Sequence, residues 1–151
     1  MKFIQNSLLT LIFRLILGSI FIYAAVDKII DPHGFASDIR NYDFIPHMLS
    51  NLPAIILPWI ELYCGFSLVI GLYTRSSASI IAVLLILFIF AIVFAMLRGL
   101  DIECGCYRTF LTASKVGIGK LVEDILLFIM ALLIINSKSV SFGFDKILIR
   151  S

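Results

Sequence analysis

The sequence predicts an all-α membrane protein, a four-helix bundle of the four-transmembrane type, and three observations carry that prediction. The chain of 151 residues is 61% hydrophobic with a mean hydropathy of +1.08, well above the roughly 45–50% apolar share of an ordinary soluble domain. Four apolar segments, residues 7–26, 52–72, 79–97 and 118–135, approach the roughly 20 residues that a helix needs to cross a bilayer. The connections between them are short and polar, with no linker or low-complexity tract, so residues 1–151 form a single membrane domain.

The first segment has a lysine before it and small residues near its end, features it shares with a cleaved signal peptide. Arg14 inside the apolar run and the lack of a small-x-small cleavage site favour a retained span. Residues 27–51 are polar. Asp31-Pro32 ends one helix or starts another, and Phe35, Ile39 and Tyr42 recur at three- to four-residue steps, the pattern of a short amphipathic helix on the membrane surface. The second span contains Pro53 and Pro58, tolerated in a membrane helix and able to bend it near Glu61. Tyr73-Thr74-Arg75-Ser76-Ser77 joins it to the third span, which makes those two helices antiparallel neighbours. Residues 98–117 form the longest polar connection after the third span. The fourth span carries Lys120, Glu123 and Asp124 in its first turns, and a short mixed tail follows from Asn136.

A net charge of +2 with scattered basic residues gives no footprint for nucleic acid. Three cysteines are too few for a disulfide-stapled fold, and no cysteine or histidine pairs have zinc-finger spacing. An even number of spans puts both termini on one side of the membrane. Lysines and arginines balance between the two sides: Lys2, Arg75, Lys138, Lys146 and Arg150 against Lys28, Arg40, Arg98, Arg108 and Lys115. The aspartates of the first loop lean it outward, so the expectation is cytoplasmic termini and an extracytoplasmic 98–117 loop.

Two charges lie within the apolar segments, and a charge at membrane depth costs a few kcal/mol unless it snorkels or finds a partner. At 1.5 Å per residue, Arg14 lies about 10 Å from the start of its helix and Glu61 about 16 Å from the end of the next. The expectation is therefore an Arg14–Glu61 ion pair inside the bundle, either structural or part of a proton or quinone site. Arg14, Gly18, Phe21, Ala25 and Lys28 share one helical stripe, and Glu61, Cys64, Gly65 and Leu68 share another. Small residues beside charged ones suit close helix packing around a buried polar site. Cys64 reads as a small buried hydrophobe.

The remaining two cysteines occur as Cys104-Gly105-Cys106 in the 98–117 loop. A disulfide between residues two apart is sterically tight, and Gly105 makes the required turn accessible. Such a ring suits an exchanging disulfide better than a structural staple. Arg98 and Arg108 favour the thiolate, whereas Asp101 and Glu103 oppose it. Three readings stay open: redox exchange; binding of a soft metal such as Cu(I), mercury or zinc, with His33 or His47 as a third ligand; and a structural or unpaired role. A nucleophilic hydrolase is disfavoured, because no nucleophile elbow appears and no histidine has a visible orienting partner.

The chain also resembles a known family. Arg14 in the first span, Ala25-Val26-Asp27-Lys28-Ile29-Ile30-Asp31-Pro32 after it, Pro58-Trp59-Ile60-Glu61 in the second, Gly71-Leu72-Tyr73-Thr74-Arg75 at its end, and Arg98-Gly99 with Cys104-Gly105-Cys106 together look like the MauE branch of the DoxX-like membrane proteins. The resemblance covers roughly residues 10 to 130, and the cysteine string is its most specific part. It implies a multi-pass inner-membrane protein associated with redox maturation, in the manner of methylamine dehydrogenase maturation, with a periplasmic thioredoxin-like protein or disulfide-containing client as partner. Carried over, Cys104 and Cys106 are the exchanging pair and Gly105, Arg14, Lys28, Glu61, Arg98 and Asp101 their support. Two departures stand out: Tyr107-Arg108 follows the cysteines where the family tends to have an aromatic and a glycine, and Glu123 lies where an arginine often begins the final helix. No haem, flavin or nucleotide motif is present, and no resident metal is expected; a membrane quinone is the candidate electron carrier. The alternative functions are a small membrane subunit of a quinone-linked oxidoreductase, in a homo- or hetero-oligomer, and a soft-metal-binding membrane protein.

Overall fold

The computed structural model describes residues 7–41, 51–98 and 118–137. Among them the chain is entirely helical, in five helices: α1 (Ser7–Ile30), α2 (Pro32–Asn41), α3 (Asn51–Ile70), α4 (Thr74–Leu97) and α5 (Ile118–Asn136). Three helical stretches, Leu8–Ile30, Leu52–Ile70 and Thr74–Leu97, are long and apolar enough to cross a membrane. The protein is thus a helical membrane protein, and α5 differs from these three in the charges of its first two turns.

α1 outruns the expected span by one turn, because Asp27 and Lys28 remain helical and Lys28 turns inward. The stop comes at Asp31. Its carboxylate oxygen Oδ1 accepts a hydrogen bond from the Gly34 amide at 2.9 Å, so Asp31 caps α2 and Pro32 takes the first helical position, where its missing N–H costs nothing. α2 is the expected amphipathic helix. Phe35 and Ala36 are buried against Ala54 of α3, with Ile39 and Leu57 at the edge of the same cluster; Tyr42, the third member of the expected stripe, lies outside the described residues.

α3 continues through Pro58. It closes on Gly71 in the left-handed region (φ 82°), where the Leu72 amide reaches back to the Ser67 carbonyl at 2.9 Å, a Schellman-type closure that a glycine accommodates without strain. α4 then starts at Thr74, so the turn is Gly71-Leu72-Tyr73 and the segment 73–77, expected as a loop, is mostly helix. The tight closure reverses the chain at once and leaves Thr74, Ser77 and Ala78 buried at the start of α4.

α1 packs most extensively on α3 and α4 on α5, while α3–α4 and α1–α5 contacts complete a ring of four antiparallel helices with α2 laid against α3. Gly18 and Gly65 set the α1–α3 distance: a Cβ on Gly18 would lie 2.8 Å from the Gly65 carbonyl oxygen, and one on Gly65 would lie 2.9 Å from that of Gly18. Leu17, Phe21, Cys64, Leu68, Ile81, Leu85, Leu127 and Ile134 form the core. The outward faces, including Leu8, Ile12, Ile55, Trp59, Ile86 and Phe90, are exposed and apolar, as lipid-facing surfaces require.

Two ends of the bundle can be distinguished. At one, Thr10 and Ser137 share a hydroxyl–hydroxyl hydrogen bond of 3.0 Å and Arg75 donates to the Ser137 carbonyl at 3.1 Å, which joins the starts of α1 and α4 to the end of α5. The other end holds the last turn of α1, α2, the last turns of α4 and the first turns of α5.

Candidate functional site

Lys28 sits in the last turn of α1, where a cation complements the helix dipole. Its side chain slants back toward the N-terminus of α1, as helical side chains do, and so runs into the bundle rather than out of it. There its ammonium donates to both carboxylate oxygens of Glu61, each at 2.7 Å. The two side chains are 3% and 1% exposed. Phe35 of α2 and Phe88 of α4 flank the ammonium, with ring centroids at 5.0 and 4.9 Å, so both faces of the cation meet aromatic π-density. The pair is buried and bidentate, and helices α1 to α4 all contribute to it.

The expected Arg14–Glu61 ion pair is therefore corrected: Glu61 is paired with Lys28. Arg14 is buried, but its Nε donates to the Leu68 carbonyl at 3.0 Å. Leu68 lies in the last turn of α3, where carbonyls have no intrahelical partner and the dipole is negative. The contact of Gly18 with Gly65 fixes a register that brings Arg14 to the end of α3, about two turns away from Glu61. Estimating depth from helix ends missed this, because the register follows from where backbones approach, not from where the spans stop.

A second pair of charges faces the first. Lys120 and Asp124 of α5 are 5% and 4% exposed, and they occupy the same stripe as the core residues Leu127, Ala131 and Ile134. Lys120 donates to Glu123 at 3.0 Å. The Asp124 oxygen Oδ2 is buried with no hydrogen-bond partner among the described residues. Lys28, Glu61, Lys120 and Asp124, with apolar neighbours that include Phe21 and Phe88, line a half-open pocket of about 30 Å³. Lys120 and Asp124 were visible in the sequence as charges at the start of an apolar run; their i, i+4 spacing in phase with Leu127, Ala131 and Ile134 was the signal that they face inward.

The other site expectations divide. Cys104, Gly105, Cys106 and Asp101 lie outside the described residues, as does His47. Arg98 caps α4 with its guanidinium 4.8 Å from the Phe94 ring centroid. His33 is exposed on α2. Cys64 is buried in the core, as read from the sequence, beneath an apolar surface groove of about 540 Å³ lined by Ile55, Ile56, Trp59, Tyr63 and Ile80 among others.

Over residues 6–137 the chain matches the family model described as Methylamine utilisation protein MauE. It is 35% identical over 95 residues to the methylamine utilization protein MauE of Methylophilus methylotrophus, covering 62% of this chain and 50% of that protein. To the protein of the same name from Paracoccus denitrificans it is 32% identical over 96 residues, 63% of this chain and 52% of that one. The corresponding figures for the Methylorubrum extorquens protein are 30% over 109 residues, 72% and 59%. The chain thus spans about half the length of the curated relatives it matches. No solved structure matches it.

Proposed function

Since the chain belongs to the MauE family, we propose that it supports methylamine utilisation as a multi-pass inner-membrane protein that exchanges thiols and disulfides with an extracytoplasmic partner. In this reading α5 is the fourth span, the termini are cytoplasmic, and the segment carrying Cys104 and Cys106 faces the oxidising side, where disulfides persist. The partner is a periplasmic thioredoxin-like protein or a disulfide-containing client, as the relatives' role in methylamine utilisation suggests.

The observation that carries the proposal is the pairing of a family match over residues 6–137 with Cys104-Gly105-Cys106 inside the matched region. In the oxidising direction a thiolate of the client attacks the Cys104–Cys106 disulfide. The mixed disulfide is then resolved by the client's second thiol, leaving a client disulfide and a reduced cysteine pair. Reoxidation of the pair would take a two-electron, two-proton acceptor, the chemistry that a membrane quinone would supply. Arg14, Lys28 and Glu61 support this chemistry from within the bundle by fixing the helices; Arg98, Asp101 and Gly105 act in the loop itself.

The test is thiol trapping in membranes. Cys106→Ser is expected to accumulate a mixed disulfide through Cys104, and Cys104→Ser one through Cys106 or none, with loss of maturation of the client in both. Unchanged client maturation in both variants would sink the reading. If maturation instead fails only when Lys28 or Glu61 is replaced, the protein serves as an assembly subunit of a quinone-linked complex; stoichiometric Cu(I) or zinc binding that needs both cysteines identifies a soft-metal protein.

A further inference from the structure

Among the described residues the pocket is lined by two cations, Lys28 and Lys120, and two carboxyls, Glu61 and Asp124; Glu123, whose side chain is 41% exposed, lies outside it and accepts from the Lys120 ammonium. The Lys28–Glu61 pair is closed on itself, and Lys120 is bonded to Glu123. The remaining carboxyl is Asp124, 4% exposed, with Oδ2 lacking a hydrogen-bond partner among the described residues. An ionised carboxylate there carries a desolvation cost that Lys120 and Lys28 offset only in part. A proton on Asp124 removes that cost.

The surroundings of Asp124 can be named element by element. α1 contributes Lys28, α3 contributes Glu61, and α5 contributes Lys120 and the neighbouring Glu123; the cavity-lining residues of α4 are Leu85 and Phe88, which carry no charge. The pocket volume of about 30 Å³ suffices for a water molecule, and the charged groups among its mostly apolar lining are the partners such a water would need.

We propose that Asp124 is a proton-binding site of the bundle interior, holding a proton on its buried carboxyl and exchanging it with the aqueous phase through the pocket that it lines with Lys28, Glu61 and Lys120. The step is a reversible protonation: an Asp124 carboxylate takes a proton delivered from the end of the bundle where α5 begins and returns it there. A water in the cavity bridges the Asp124 carboxyl to the Lys28–Glu61 pair. This inference goes beyond thiol exchange and stands independently of the cysteines.

Infrared difference spectroscopy of the full chain in lipid vesicles, titrated with pH in light and heavy water, tests it. The wild-type protein is expected to show a protonated-carboxyl C=O band that shifts in heavy water, moves on ¹³C labelling of aspartate, and disappears in Asp124→Asn. Glu61→Gln leaves the Lys28 ammonium without its carboxylate and able to hold Asp124 ionised, so the band is expected to be lost at neutral pH there too, whereas Cys104→Ser leaves it intact. Circular dichroism of each variant confirms that the helices are retained. If Asp124→Asn does not fold, the aspartate-labelled wild type and Glu61→Gln together decide. A wild-type spectrum with no aspartic-acid band across the titration overturns the proposal, as does a band that survives in Asp124→Asn.

Discussion

Lys28 and Glu61 make a buried, bidentate contact at 2.7 Å, and its value lies in the alternative. Two charges out of water are expensive, and replacing both with apolar groups often costs little, but removing one strands the other. Lys28→Met is accordingly expected to lower stability by about 3–5 kcal/mol, and Lys28→Met with Glu61→Met by clearly less. A double-mutant cycle from denaturant unfolding in mixed micelles measures the difference; equal losses in single and double variants would contradict the pairing. Arg14 is a different case. Its Nε bonds to the Leu68 carbonyl, a hydrogen bond from a charged donor worth about 1.5–3 kcal/mol, so Arg14→Leu is expected to lose about that much without disturbing Glu61.

The α1–α3 pair depends on two glycines facing each other. A Cβ on Gly18 would meet the Gly65 carbonyl and Val69 Cγ2, both at 2.8 Å, and backbone cannot yield as a flexible side chain can. Gly18→Ala and Gly65→Ala are each expected to cost about 1–3 kcal/mol through overpacking, measured by the same unfolding assay, and to weaken the Lys28–Glu61 contact by spreading the helices. At the turn between α3 and α4, Gly71→Ala places a side chain at φ 82° and is expected to cost about 1–2 kcal/mol. A neutral result at Gly71 would mean that the turn is not closed as described. In α5, Lys120 and Asp124 lie on the buried stripe, so they face the other helices of the bundle.

For the molecule as a whole, the antiparallel ring puts the starts of α1 and α4 and the ends of α3 and α5 on one side. If the termini are cytoplasmic as proposed, membrane-impermeant maleimide added outside intact cells is expected to label reduced Cys104 or Cys106 and not Cys64, which is 1% exposed. A cysteine introduced at Ser76 should label only after the inner face is opened. Labelling of both sites from the same side would refute the four-span arrangement. Cys64 is expected to react only on unfolding, which separates the buried thiol from the loop pair in any redox assay.

Residue types and their periods alone determined the helical class, the membrane setting, the amphipathic α2 and the inward stripe of α1 from Arg14 to Lys28, because lipid demands long apolar helices and helical geometry groups residues three and four apart. The family was legible as well, through Cys104-Gly105-Cys106 and the motifs around Lys28 and Glu61. Which charge meets which was not. Arg14 and Lys28 are both cations on one stripe, and either could have met Glu61 by depth. The close approach of Gly18 to Gly65 set the register, so Lys28 reached Glu61 and Arg14 capped α3. Only the packed ring brought α5 across from α1 and α3, and with it Lys120 and Asp124, more than fifty residues from Glu61 in sequence, into the same cavity. Burial and hydrogen-bond partners are properties of that packing, and no single helix contains them.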